Sequence, residues 1–143
     1  MKYYQYTIVF QEVPDEVTLA FEITNCPHKC PGCHSPHLID DIGIELTLKH
    51  FQQIVDKYFG MITNVAFFGG EQYSELIDML AYVKQLGLKT TLWTGSCAVN
   101  QAIMPHLNYL KTGPYVEELG GLQSSTTNQQ YINLDTGEPI RLA

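Results

Sequence analysis

Three of the chain's four cysteines, Cys26, Cys30 and Cys33, fall within eight residues, in the segment NCPHKCPGCH that spans residues 25–34. The spacing C-x3-C-x2-C packs three thiols into a loop too tight for ordinary secondary structure. Pro27, Pro31 and Gly32 suit such a loop, two through a fixed φ and one through the freedom to adopt almost any. Three convergent thiolates can hold one metal ion or one iron–sulfur cluster, and a closed structural site takes four ligands. With no fourth cysteine nearby, the shell is incomplete, and an open coordination position is where catalysis takes place. The competing reading is a zinc site with His34, His37 or the distant Cys97 as fourth ligand, although the paired arrangement of finger-type sites is missing. A disulfide among the three would leave one thiol over, and clustered cysteines in a cytosolic chain more often bind metal or do redox chemistry.

Other chemistry-bearing residues sit where strands should end. Residues 17–24 (VTLAFEIT) alternate, with Val17, Leu19, Phe21 and Ile23 on one side, and predict a strand with one apolar face that leads into Asn25 and Cys26. A β-prone run at residues 4–10 precedes it, separated by a turn at Pro14 and Asp15. Thr47 is the expected N-cap of a helix whose stripe is Leu48, Phe51, Ile54, Val55 and Tyr58, ended by Gly60. A strand over residues 64–68 runs into Gly69-Gly70-Glu71. A second helix is expected over residues 74–86, with Gly87 as its C-terminal cap. A strand over residues 88–93 runs into Thr94-Gly95-Ser96, a shorter helix is expected near residues 98–106, and a strand over residues 107–111 ends at Lys111-Thr112-Gly113-Pro114. A loop at residues 120–128 and a strand near residues 130–134 finish the chain. Strand and helix in alternation make βαβ units, whose ligands gather at the carboxyl ends of parallel strands. The expected fold is a single α/β domain, a parallel (β/α) partial barrel of about five to six strands.

Composition narrows the partners. The chain has 143 residues, 15 of them acidic against 8 basic, for a formal net charge of −7, and Arg141 is its one arginine. That balance disfavours nucleic acid, which is held through clustered Lys and Arg. No stretch approaches a membrane span, and the first residues lack the apolar core of a signal peptide, so a cytoplasmic protein is expected.

The three-cysteine motif after a first strand, followed by Gly-Gly-Glu at the end of a later one, resembles the radical S-adenosylmethionine enzymes. More narrowly, residues 26–37 (CPHKCPGCHSPH) and Gly69-Gly70-Glu71 resemble the activating proteins of anaerobic ribonucleoside-triphosphate reductase. The resemblance implies a 4Fe-4S cluster on Cys26, Cys30 and Cys33, with S-adenosylmethionine bound to the remaining iron. Reductive cleavage of the sulfonium would then give a 5′-deoxyadenosyl radical, which takes a hydrogen atom from a glycine of the reductase's large subunit. It also implies cofactor contacts from Gly32, Cys33 and His34, from Gly69, Gly70 and Glu71, and from Thr94. A flavodoxin- or ferredoxin-type electron donor follows from the same likeness, as does a role near the substrate for residues 124–129 (SSTTNQ), which resemble a Ser-Asn-Gln element. The chemistry rests with the cluster and its ligand, and no side chain is expected to be catalytic.

The chain departs from the pattern in three places. Gly32 stands where many radical S-adenosylmethionine enzymes have an aromatic residue, Gln72 follows Gly-Gly-Glu in place of proline, and residues 11–17 (QEVPDEV) lack the usual basic residues. A chain this short has no insertion to close a pocket over a third molecule, so an open site for a macromolecular substrate is expected. The alternatives are an activase for another glycyl-radical enzyme, of the pyruvate formate-lyase type, and a non-catalytic zinc-binding interaction module. Trp93 is expected in the core and Cys97 as a small buried residue. His28, His37, His50 and His106 are expected in loops or at the surface.

Overall fold

The computed structural model describes residues 1–33 and 35–142. Seven strands form one sheet: β1 (Lys2–Val9), β2 (Thr18–Ile23), β3 (Ile44–Glu45), β4 (Asn64–Phe68), β5 (Lys89–Trp93), β6 (Tyr109–Thr112) and β7 (Gln130–Asn133). They lie in the order β3-β1-β2-β4-β5-β6-β7. The neighbours β2, β4, β5 and β6 are parallel, as the βαβ order requires, while β1, β3 and β7 join antiparallel. The architecture is therefore a mixed α/β sheet and not a closed barrel. The expected count of five to six strands misses the two-residue β3, which is too short to show any periodicity.

Two helices, α1 (Leu48–Tyr58) and α2 (Glu75–Gln85), supply the crossovers from β2 to β4 and from β4 to β5. The Thr47 side chain accepts the His50 N–H at 3.1 Å, the N-cap expected from its type and place. Phe51, Ile54 and Val55 of α1 and Leu76, Met79, Leu80 and Val83 of α2 are the buried stripes. They pack on Leu19, Phe21, Val65, Phe67 and Leu92 of the sheet. At the centre, the Phe21, Phe51 and Phe67 rings lie 5.1–5.6 Å apart.

The opposite face is also covered. Thr18 and Ala20, on the side of β2 opposite its apolar face, are fully buried, as in parallel strands sandwiched on both sides. There Asn64 donates to Thr18 Oγ1 at 3.0 Å and to Thr91 Oγ1 at 2.9 Å, which satisfies a buried amide across three strands. Val13, Tyr109 and Tyr131 form a second apolar cluster on this side, joined by Trp93 and Leu122.

The helix expected near residues 98–106 is reduced to a 3-10 turn, Met104–His106. Asn100 Oδ1 accepts the Ala102 N–H at 2.9 Å, a local turn that competes with helix, and Pro105 cannot extend one. No helix among the described residues is long and apolar enough to cross a membrane.

Candidate iron–sulfur site

Because β2, β4, β5 and β6 run parallel, the segments that leave them emerge at one end of the sheet. Paired register places Glu22, Phe68, Trp93 and Lys111 in one row across these strands. Above that row lies a cavity of about 460 Å³, within the range of small-molecule sites. Cys26, Cys30 and Cys33 line it from the first loop, and Gly69, Gly70 and Glu71 from the second. Thr94 closes it from the third, and Phe68, Trp93 and Lys111 from the row itself.

The cysteine loop is tied at its base, where Asn25 N–H donates to Asp40 O at 3.0 Å and Cys26 N–H to Leu38 O at 2.9 Å. Thr24 Oγ1 adds a bond to Ile42 O at 2.6 Å. All three thiols are half-buried and free of disulfides. Cys33 Sγ accepts the Ser35 N–H at 3.4 Å, the kind of backbone bond to sulfur that tunes clusters. Among the described residues, no three His, Cys, Asp or Glu side chains converge on a point where a single metal ion could sit.

Gly69 and Gly70 have φ of +91° and +101°, so glycine is demanded by the backbone. A Cβ on Gly70 would meet the Ile23 side chain at 3.4–3.5 Å. The turn that follows is held by side chains: Gln72 Nε2 donates to Asn25 O at 3.1 Å, and Asn25 Nδ2 to Tyr73 Oη at 3.2 Å. Gln72 thus fastens the Gly-Gly-Glu turn to the cysteine loop by a hydrogen bond, which a proline there could not do.

Glu71 is the polar centre. Its Oε1 accepts from Thr94 Oγ1 at 2.6 Å and stands 2.9 Å from His28 Nε2. Its Oε2 is buried and has no partner among the described residues. A carboxylate oxygen left without a donor is costly, so Oε2 is an acceptor open to any group that brings a hydrogen-bond donor into the cavity. A set of three thiols fits an iron–sulfur cluster, with this carboxylate on the wall of the same cavity.

Lys111 was not singled out from the sequence, which gave only its place at a strand end. It is 8% exposed, and its ammonium donates to Gly113 O at 3.0 Å and Thr94 O at 3.4 Å. Burial pulls its pKa below the ordinary lysine value, and the Cys30 and Cys33 thiolates, then Glu71 and Cys26, oppose that pull.

Of the residues expected at the site, Cys26, Cys30, Cys33, Gly69, Gly70, Glu71 and Thr94 all line the cavity. Gly32 is exposed and lies instead against Tyr115 and Glu117. The expectation for His34 lies outside the described residues. Ser124 and Gln129 also reach the cavity wall. His28 lies in the cysteine loop, in keeping with the expectation of a loop or surface position, and its ring turns inward onto Glu71. Trp93 is half-buried, packed on Phe68 at 5.2 Å and Tyr131 at 5.5 Å while also lining the cavity. Cys97, expected to be buried, is exposed in the segment after β5, where no helix forms to cover it.

The family model described as a 4Fe-4S single cluster domain matches residues 17–134. Comparison with curated proteins and with solved structures gives no match.

Proposed function

Since the chain belongs to the 4Fe-4S single cluster domain family, we propose that it is a radical S-adenosylmethionine activating enzyme that places a glycyl radical on an anaerobic ribonucleoside-triphosphate reductase. One arrangement carries the reading: a trio of thiols and an unpaired, buried carboxylate oxygen share one cavity at the ends of the parallel strands.

In this reading Cys26, Cys30 and Cys33 hold the cluster and leave one iron for the ligand. When bound, a reduced cluster would supply the one electron that splits S-adenosylmethionine, with methionine and 5′-deoxyadenosine as products and a glycine of the large reductase subunit as the source of the hydrogen atom. The chain's own side chains bind and orient. Glu71 takes the ligand's amino group on Oε2, while Thr94 holds Oε1 and is itself fixed through its N–H to Lys111 O at 2.9 Å. Lys111 places a positive charge beside the negatively charged thiolates. Phe68 and Trp93 make an apolar floor that excludes water, which strengthens every electrostatic contact above it. Such a site needs a reducing, oxygen-poor cytoplasm and a flavodoxin- or ferredoxin-type donor.

The test is to incubate reduced, cluster-reconstituted protein with S-adenosylmethionine and the candidate reductase, then record the electron paramagnetic resonance spectrum. A glycyl radical that depends on both components is expected. A colourless protein that holds zinc and no iron or sulfide after anaerobic purification overturns the proposal.

A further inference from the structure

His28, midway between Cys26 and Cys30, crosses from the cysteine loop to the turn after β4. Its Nε2 stands 2.9 Å from Glu71 Oε1. In the tautomer with its proton on Nε2, the ring donates to this oxygen. Thr94 Oγ1 donates to the same oxygen at 2.6 Å, and Ser96 Oγ at 3.4 Å. Donors from two separate loops therefore converge on Oε1, while Oε2 of the same carboxylate is buried without any partner among the described residues. The Glu71 side chain is 10% exposed and stands in the cavity wall.

A second observation bears on His28 independently. A Cβ on Gly95 would lie 2.7 Å from His28 Cδ2 and 2.8 Å from Cγ, closer than real Cβ contacts come. The imidazole thus occupies the space that a side chain at position 95 would need, and the glycine of the third loop leaves it free.

We infer that His28 is a positioning residue: its hydrogen bond to Oε1, with the ring seated on Gly95, sets the orientation of the Glu71 carboxylate and reserves Oε2 for the amino group of the bound ligand. This deepens the reading proposed above and rests on it. The three donors occupy one oxygen and fix the rotation of the carboxylate, so the other oxygen meets the ligand with little reorganisation. Loss of the imidazole frees that rotation. It weakens the one contact that depends on the amino group and leaves contacts to the nucleoside as they were.

The experiment is isothermal titration of cluster-loaded protein, at matched iron content, with S-adenosylmethionine and with its deaminated analogue. For His28→Ala, affinity for S-adenosylmethionine falls about tenfold or more, the size of one charge-assisted contact, while affinity for the deaminated compound stays at the wild-type value. His28→Gln, whose amide can donate from the place of Nε2, recovers most of the loss. Gly95→Ala keeps the histidine but displaces its ring, and reproduces the His28→Ala pattern; together these two variants make the comparison if His28→Ala fails to hold iron. Equal losses for both compounds, or no loss for either, overturn the inference while leaving the proposed function standing. Wild-type protein that binds neither compound overturns both.

Discussion

The Tyr115 ring stands 3.4 Å from the point that a Cβ on Gly32 would occupy, so the residue ahead of the third clustered cysteine is a glycine lying beneath an aromatic ring from another loop. The ring comes from the segment after β6, far from the motif in the chain. Gly32 has φ of +73°, a left-handed conformation that any side chain would strain. The 3.4 Å contact is by itself ordinary. Gly32→Ala should therefore destabilise the loop by about 1–2 kcal/mol through backbone strain, measured by denaturant unfolding. Truncating Tyr115 should not rescue it, and a double-mutant cycle with Tyr115→Ala should show coupling below about 0.5 kcal/mol. Strong coupling would mean that crowding under the ring sets the cost.

The cysteines divide three against one. Cys26, Cys30 and Cys33 line the cavity, whereas Cys97 is exposed. Each of Cys26→Ala, Cys30→Ala and Cys33→Ala should abolish stable cluster binding and S-adenosylmethionine cleavage, because three ligands are the fewest that leave a single iron open. Cys97→Ala should keep both. Iron and sulfide analysis with a product assay checks the set, and full cleavage in any of the first three would remove that residue from the ligand shell.

The core prediction concerns the strand that delivers the Gly-Gly-Glu turn. Phe67 is fully buried and stacks on Phe21 at 5.6 Å and on Phe51 at 5.4 Å. Phe67→Ala removes both contacts from the centre of the helix-covered face, for a loss of about 3–5 kcal/mol. Urea unfolding should show the midpoint fall with little change in slope.

Much of this was legible in the residues themselves, for a physical reason that also marks the limit. The helix α1 and the apolar run from Asn64 to Phe68 appear in the structure where their patterns place them, because both are locally encoded, although of the expected stripe Phe51, Ile54 and Val55 are buried while Leu48 at its first turn is exposed. The site-lining cysteines and Gly69-Gly70-Glu71 stood out by type and spacing. Lys111, His28 and Tyr115 did not, since what matters about each is a neighbour far away in the chain. Lys111 faces the thiols only because β6 pairs with β5 in a register that sets it beside Trp93. His28 meets Glu71 across 43 residues of separation. No periodicity encodes such pairs. The short helix expected near residues 98–106 failed the other way, since Asn100 and Pro105 outweighed a weak apolar pattern.

Glu71 should separate charge from shape. Glu71→Gln keeps an oxygen that can still accept from Thr94 and His28, but loses the negative charge that an ammonium would meet. Affinity for S-adenosylmethionine should fall by about 10- to 100-fold, the size of one hydrogen bond to a charged group, with cluster content unchanged. Titration calorimetry on the loaded protein measures it, and wild-type affinity in the variant would exclude Glu71 as the amino-group partner.

Lys111 closes the argument because its charge answers two separate questions. In the metal-free protein its pKa is lowered, chiefly by burial, so over the window from that lowered value up to 10.5 the unfolded chain holds a proton that the folded chain has released. Stability then rises with pH across that window, by the sign of the proton difference. Lys111→Met has no such term, so the stability of the wild type relative to the variant should grow as the pH is raised into this range, read by urea unfolding at successive pH values. In the cluster-loaded protein the same ammonium sits among groups that carry negative charge. Its removal should make the cluster harder to reduce, lowering the potential by roughly several tens of millivolts, the order expected for one unit charge nearby at an effective dielectric of about 20. Potentiometric titration followed by electron paramagnetic resonance gives that number. An unchanged potential would show that Lys111 serves its backbone partners, Gly113 and Thr94, and not the cluster.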